Sequence, residues 1–105
     1  MRFLIIDRGT TVETQQGVPP NIFHQAKEWV QEKMGEGKIA MAYALAGEHA
    51  SCLVLDVDSL EELDDLLMEY PLSAYSIFEI YALSDIARSY DKAAKIYAKA
   101  ARPAA

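Results

Sequence analysis

Two apolar segments joined by a short polar turn constrain the fold of this chain more than any other feature. Residues 38–46 and 50–57 alternate as β-strands do, and glycine lies in the turn between them, which predicts a β-hairpin. Both faces of these strands are apolar. The second strand carries Leu53, Leu55 and Val57 on one face and Cys52 and Val54 on the other. The sheet that contains the hairpin therefore needs cover on both sides.

The segments around the hairpin predict two more strands and two helices. Strand one covers about residues 3–6, and the alternating residues 75–84 form strand four. Helix one covers about residues 20–35, where apolar residues recur at helical spacing. Helix two starts at a capping box formed by Ser59 and Glu62 and ends before a proline. The order is βαββαβ, which predicts an α+β fold of the ferredoxin-like type with an antiparallel sheet.

This fold has an open face that something must cover. Residues 1–84 form the ferredoxin-like domain, and residues 85–105 form an Ala-rich helical tail. Two helices cover only one face of a sheet, and the other would leave a large apolar patch in water. We therefore expect a homodimer or larger homo-oligomer that packs two sheets together, with the tail extending the contact. The alternative is that the tail helix folds back over the open face.

Composition narrows the classes of partner. The net charge of -6 argues against nucleic acid, since phosphate binding requires a basic surface. No apolar stretch approaches the roughly 20 residues needed to span a bilayer, so we expect a cytoplasmic protein that does not bind membranes. Residues 1–84 carry a net charge of -9 and residues 85–105 carry +3. The basic tail is either a solvated helix face or a contact with the acidic surface of another subunit.

We expect no disulfide, zinc-binding or nucleophilic role for the single cysteine. One cysteine rules out an internal disulfide and any cysteine-based zinc site. Cys52 lies in an apolar run, so we expect a buried, inert thiol.

From Gly37 onward, the chain resembles the muconolactone isomerase family over about 50 residues. The matching residues, in order and without gaps, are Gly37-Lys38, Ala46-Gly47, Asp56 to Ser59, Glu62-Leu63, Leu66-Leu67, Pro71-Leu72, Tyr75, Glu79 and Ala82-Leu83. The resemblance implies a dimeric α+β barrel with a pocket between helix and sheet in each protomer. It also implies an isomerase that moves a double bond in an unsaturated lactone by proton transfer, without a metal or cofactor.

Strand two departs from the family pattern. Members of the family place aromatic and basic residues there, which suits an anionic substrate. Here no cation lies between Lys38 and Ala46. We therefore expect a small cyclic or unsaturated substrate that is mostly apolar.

A cofactor-free isomerase needs a base near the abstracted proton and a cation or donor for the developing enolate. His24 and Lys27 lie three residues apart near the start of helix one, with His24 predicted as the base and Lys27 as its electrostatic partner. The alternative is an exposed surface pair. Glu79 in strand four is either a second catalytic candidate or a structural residue paired with an arginine such as Arg8.

Further residues are expected to form the substrate site. The predicted substrate-binding residues are Phe23, Met41, Tyr43, Tyr75 and His49. At these spacings, aromatic and methionine side chains are also typical of plain core, and a histidine in a turn is often solvated. No metal-ligand spacing is present, so we expect no metal. The polar residues 8–20, with two Gly and two Pro, predict a long loop that closes over the site.

Two classes of function follow. The leading prediction is a cofactor-independent, isomerase-like enzyme. The alternative is a non-catalytic small-molecule binder or structural oligomer on the same scaffold, because a fold does not fix a function. An open pocket would favour catalysis, and a pocket filled by side chains would favour the structural alternative.

Overall fold

The computed structural model describes residues 1–9 and 17–100. These residues form four strands and three α-helices in the predicted order: β1 (Arg2–Gly9), α1 (Pro20–Gly35), β2 (Ile39–Ala44), β3 (Ala50–Asp56), α2 (Leu60–Glu69), β4 (Ser76–Leu83) and α3 (Ile86–Ala100). A 3₁₀ turn, Ser73–Tyr75, precedes β4. The predicted loop over residues 8–20 falls mostly on residues outside this description, and its role as a lid stays a prediction.

The four strands form one antiparallel sheet in the order β2-β3-β1-β4. The central strand β1 places Ile5 opposite Leu53 of β3 and opposite Ile80 of β4. This topology confirms the predicted α+β, ferredoxin-like fold. β1 is longer than predicted because Arg8 pairs with strands on both sides, so the ladder continues into the polar segment.

The hydrophobic core lies between one face of the sheet and the two helices α1 and α2. Side chains two residues apart in a strand share a face, so Phe3 and Ile5 of β1 lie beside Leu53 and Leu55 of β3. The buried cluster comprises Phe3, Ile5, Ile39, Leu53, Leu55, Val57, Leu63, Leu66 and Leu67. Ile5 and Leu55 are fully buried, and they anchor the two central strands.

The start of α2 and the turn of the β2–β3 hairpin both follow local sequence rules. The Ser59 hydroxyl accepts a hydrogen bond from the Glu62 amide at 3.1 Å, which begins α2. The Glu62 carboxylate accepts from the Asp58 amide at 3.1 Å, one residue earlier than in the standard capping box. In the hairpin, Gly47 has a φ of +80°, a conformation that other residues rarely adopt.

The second face of the sheet is uncovered by the described part of the chain. Met41, Ile77 and Tyr81 are 51%, 59% and 50% exposed on it. Cys52 also belongs to this face and is only half-buried, so the prediction of a buried thiol was wrong. The alternation of β3 turns Cys52 away from the core that buries its neighbour Leu53.

The tail helix α3 extends away from the sheet rather than folding back over it. Asp85 caps the helix, and its carboxylate accepts a hydrogen bond from the Arg88 amide at 2.8 Å. The apolar side chains Ile86, Tyr90 and Tyr97 are 64–71% exposed. The radius of gyration is 18.6 Å, well above the roughly 13 Å typical of a compact chain of this length. Across the described residues, no helix is long and apolar enough to cross a membrane.

Candidate functional site

A cleft opens between α1 and the half of the sheet formed by β2 and β3. Its volume is about 520 Å³, and its walls are mostly apolar. One stripe of α1, with residues recurring every three or four positions, supplies Phe23, Ala26, Lys27, Val30, Gln31 and Met34. The sheet supplies Ala42, Tyr43, Ala44, Ser51 and Leu53, and the segment around the end of α2 supplies Tyr70 and Leu72.

A second cavity of about 300 Å³ continues this cleft. The two cavities share Phe23, Ala44, Ser51, Tyr70 and Leu72. The second adds Asp7, Gly9, His49, Ala50 and Ser76. Because the shared residues join them, we describe both cavities together as the α1–sheet cleft.

The charged groups of the α1–sheet cleft are few and lie in different cavities. Among the described residues that line the larger cavity, Lys27 is the only one with a full charge. Asp7 and the titratable His49 line the smaller cavity. The cleft therefore combines apolar walls with one cation and one carboxylate, which are the groups that proton transfer next to a carbonyl requires.

Asp7 is the only charged side chain among the described residues that is buried, at 6% exposure. It lies two residues after Ile5, so the alternation of β1 turns it toward the covered face of the sheet. The Tyr70 hydroxyl donates a hydrogen bond to Asp7 Oδ2 at 2.8 Å. This bond offsets part of the cost of burying the carboxylate.

The position of Tyr70 is fixed by aromatic neighbours. Its ring centroid lies 5.3 Å from that of Trp29 and 6.1 Å from that of Phe78, both in tilted arrangements. Burial, and then the negative charge of Asp7, raises the pKa of the Tyr70 hydroxyl. The phenol therefore stays protonated near neutral pH and remains a hydrogen-bond donor.

Four of the residues predicted from the sequence line the α1–sheet cleft. Phe23 and Lys27 project from α1, and Tyr43 lies on β2. His49 reaches the smaller cavity from the hairpin turn. Of the predicted wall residues, Phe23 and Tyr43 therefore line the same cavity as Lys27.

The other four predicted residues do not line the cleft. His24 is exposed on α1, beyond the stripe that faces the cleft. Met41 and Glu79 lie on the open face of the sheet, and Tyr75 is half-buried in the 3₁₀ turn. The geometry separates His24 and Glu79 from the cleft, and their catalytic roles stay predictions.

Glu79 belongs to a charged network on the open face. Arg8 Nε donates to Glu79 Oε1 at 2.8 Å, and Arg8 Nη1 donates to Glu48 Oε2 at 3.2 Å. The Tyr81 hydroxyl donates to Glu79 Oε2 at 2.9 Å. The hydrogen bond from Arg8, and then that from Tyr81, lowers the pKa of Glu79. This is the arginine pair that the structural alternative for Glu79 anticipated.

Asp7 and Tyr70 are polar residues of the cleft that were not among the site residues predicted from the sequence. The parity of β1 was a usable signal, because Asp7 is in phase with the apolar Phe3 and Ile5. Tyr70 had no comparable signal, since it follows the last turn of α2 and precedes Pro71. The described residues hold no group of three or more His, Cys, Asp or Glu side chains suited to a metal ion.

The family model that describes muconolactone delta-isomerase matches residues 1–88 of the chain. The chain belongs to the muconolactone delta-isomerase family. A comparison with curated proteins found no match. The matched residues include all four strands, the helices α1 and α2, and every residue that lines the α1–sheet cleft. Most of α3 lies beyond them.

Two solved structures are similar to this member of the muconolactone delta-isomerase family. A muconolactone isomerase is 30% identical, with a TM-score of 0.67, and the match covers 81% of this chain and 90% of that one. The 5-chloro-2-hydroxyhydroquinone dehydrochlorinase from Burkholderia phenoliruptrix AC1100, in complex with 2,5-dihydroxybenzoquinone, is 13% identical with a TM-score of 0.68. That match covers 84% of this chain and 98% of the other, and at this identity it shows the fold alone. The chain therefore has an isomerase-like enzyme scaffold.

Proposed function

We propose that this protein is a cofactor-independent isomerase that shifts a double bond in a small, mostly apolar unsaturated lactone. The observation that carries the proposal is the α1–sheet cleft, which is open, apolar and supplied with one cation, Lys27. The family supports the type of reaction, since a muconolactone isomerase is 30% identical over most of both chains.

The openness of the cleft supports a ligand-binding role over a purely structural one. Cavities of about 520 and 300 Å³ exceed the volume of one small lactone, so the site is not filled by its own side chains. A purely structural oligomer would not require such a cavity. A non-catalytic binder remains the alternative function, and turnover separates it from an enzyme.

The walls of the cleft support an apolar substrate. β2 lines the cleft with Ala42, Tyr43 and Ala44 and contributes no basic residue. Small side chains leave room beside the sheet and offer no positive charge to a substrate carboxylate. Lys27 remains to stabilise the negative charge that develops on a lactone oxygen.

The direct test uses α-angelica lactone, a neutral β,γ-unsaturated lactone, and follows the ultraviolet absorbance of the conjugated isomer. We expect catalysed isomerisation, with a higher kcat/KM than for muconolactone in a parallel assay. Lys27→Gln should lower kcat/KM by about 100-fold, because it removes the charge that stabilises the enolate. Lys92→Gln on α3 is the control and should match the wild type.

The outcomes distinguish three interpretations of the function of the cleft. Turnover that depends on Lys27 supports the proposal. Binding of both lactones without turnover, measured by NMR line broadening, would identify a non-catalytic binder. Faster turnover of muconolactone than of the neutral lactone would contradict the proposed substrate class.

We also propose that the protein assembles as a homodimer through the open face of its sheet. Support comes from the exposed Met41, Ile77 and Tyr81 on that face, which would form an apolar patch on a monomer. A monomer by light scattering at micromolar concentration would contradict this proposal.

A further inference from the structure

The burial of the Asp7 carboxylate is not explained by the proposed isomerase activity alone. A carboxylate that is 6% exposed loses most of its hydration, and such burial costs several kcal/mol unless it is compensated. In its strand, the in-phase residues Phe3 and Ile5 are apolar core. An apolar residue at position 7 would extend that core. The buried acid at this position therefore indicates a function other than packing.

On one side, the Asp7 carboxylate is held by a hydrogen bond within the protein, and on the other it borders a cavity. Tyr70 donates to Oδ2 at 2.8 Å, and the rings of Trp29 and Phe78 hold the phenol in position. On the other side, Asp7 lines the smaller cavity of the α1–sheet cleft together with His49 and Ser51. A fixed carboxylate that borders a ligand-sized space satisfies the geometric requirement for a general base.

We propose that Asp7 is the catalytic base of this cleft and that Tyr70 is the residue that positions it. The inference rests on the proposed lactone isomerase function, which it deepens by naming the proton acceptor. Tyr70 orients the carboxylate through Oδ2. Lys27, at the cleft's larger cavity, stabilises the charge of the intermediate.

The proton-transfer step balances without any co-reactant. The Asp7 carboxylate takes a proton from the carbon next to the lactone carbonyl, and the electron pair of the broken C–H bond enters a dienolate. Its negative charge spreads to the carbonyl oxygen. The protonated Asp7 then returns a proton to the γ carbon, and the double bond moves into conjugation. One proton leaves and one returns, so the carboxylate is regenerated.

Two other candidate bases are less well placed. His24 is exposed on α1, outside the set of residues that line the cleft. Glu79 points to the opposite face of the sheet, where Arg8 and Tyr81 occupy both of its oxygens. Neither reaches a substrate in the α1–sheet cleft without a rearrangement.

The test is Asp7→Asn, which keeps the shape of the side chain and removes the base. Proton abstraction is read directly as loss of the α-proton NMR signal of α-angelica lactone in D₂O. We expect the exchange rate to fall by about 10²–10⁴-fold, with substrate binding retained. Asp56→Asn is the matched control, since Asp56 lies on the open face in an ion pair with Arg2, and it should exchange at the wild-type rate.

Tyr70→Phe tests the positioning role. We expect kcat to fall about tenfold with KM unchanged, because the ring still packs while the hydrogen bond to Asp7 is lost. A purely structural role would instead lower the melting temperature and leave kcat of the folded fraction unchanged. His24→Gln and Glu79→Gln are measured in the same assay, and a loss of exchange in either of them with none in Asp7→Asn would move the base to that residue.

Each result decides the proposal. Exchange by the wild type that persists in Asp7→Asn overturns the role of Asp7 while the isomerase function stands. No exchange and no isomerisation by the wild type overturn both. If Asp7→Asn does not fold, Asp7→Glu replaces it. That variant keeps a carboxylate but displaces it, and it should show reduced but measurable exchange. Exchange at the full wild-type rate in Asp7→Glu would contradict the proposed geometry.

Discussion

The two faces of this sheet are both apolar, yet they have opposite surroundings. On the covered face, Ile5 and Leu55 are fully buried under α1 and α2. On the open face, Ile77 and Tyr81 expose half or more of their surface. The same sheet therefore supplies a core on one side and an uncovered apolar surface on the other.

The acidic residues of the two faces show what this difference does to a carboxylate. Asp7 of β1 lies opposite Phe78, and Glu79 of β4 lies opposite Ile6, so the two acids are neighbours across adjacent strands. The two acids differ by one position in the strand register, so Asp7 lies on the covered face and Glu79 lies on the open face. Asp7 is buried against a phenol beside a cavity, whereas Glu79 lies in an exposed ion-pair network. Surroundings, rather than residue type, separate a candidate base from a surface charge.

Truncating a buried side chain on the covered face should lower the stability of the protein strongly. Leu55→Ala should lower the free energy of unfolding by about 2–5 kcal/mol, because it leaves a cavity among residues that cannot close over it. The measurement is urea denaturation at low protein concentration. Leu83→Ala on the open face is the matched control and should cost less than about 1 kcal/mol under the same conditions. Equal losses would mean that both faces are covered within a single chain.

The next effect concerns the open face in the proposed dimer. Tyr81→Glu should raise the dissociation constant of the dimer by about 100-fold or more, since it would bury a charge between two sheets. Sedimentation velocity over a dilution series measures this change. Leu60→Glu is the control, because Leu60 is 60% exposed but lies in the first turn of α2, away from the sheet. If both variants dissociate alike, the open face is not the interface.

A smaller effect is expected from α3. Removing residues 86–105 should weaken the assembly by about tenfold, while the melting temperature of the remaining domain stays near that of the full chain. The physical reason is that Ile86, Tyr90 and Tyr97 are exposed in one chain and gain burial only against another. In the full chain, Tyr90→Ala with Tyr97→Ala should reproduce the loss, and Lys92→Ala with Lys99→Ala should not. A deletion that unfolds the domain would contradict the independence of the tail.

Much of the fold was predictable because its determinants are local. Strand alternation gave the hairpin, and the Ser59 cap and the Leu-rich stripe gave α2. The length of β1 was not predictable in the same way, because Arg8 and Gly9 are strand residues only through pairing with β3 and β4. Tertiary pairing, rather than local propensity, decided that boundary.

The site was predictable only in part, for a related reason. Phe23 and Lys27 both line the cleft from one stripe of α1, since helical periodicity fixes which residues share a face. His24 follows Phe23 by one residue and lies about 100° further around the helix. Its three-residue spacing from Lys27, which supported its prediction as the base, was therefore not enough to place it among the residues that line the cleft. Tyr70 meets Asp7 across 63 positions of chain, and no periodicity encodes such a contact.

For the Arg8–Glu79 pair on the open face, we expect only a small effect on stability in a single chain. The pKa of Glu79 is lowered, first by the hydrogen bond from Arg8, so ionised Glu79 stabilises the folded state. That stabilisation is present above the ordinary carboxylate pKa of about 4.3 and is lost as the pH falls through the lowered folded value. Because the pair is exposed in a single chain, Glu79→Gln should change the melting temperature by no more than about 2 °C at pH 7.

Protein concentration then distinguishes an exposed pair from one enclosed in a dimer. Above the dissociation constant, the partner sheet would exclude water from Arg8 and Glu79, and the effect of Glu79→Gln at pH 7 should grow. A double-mutant cycle with Arg8→Gln isolates the pair at each concentration. The coupling should vanish in acid at both concentrations, because protonated Glu79 no longer attracts the guanidinium. A coupling that is the same in dilute and concentrated samples would place the pair outside any interface between sheets.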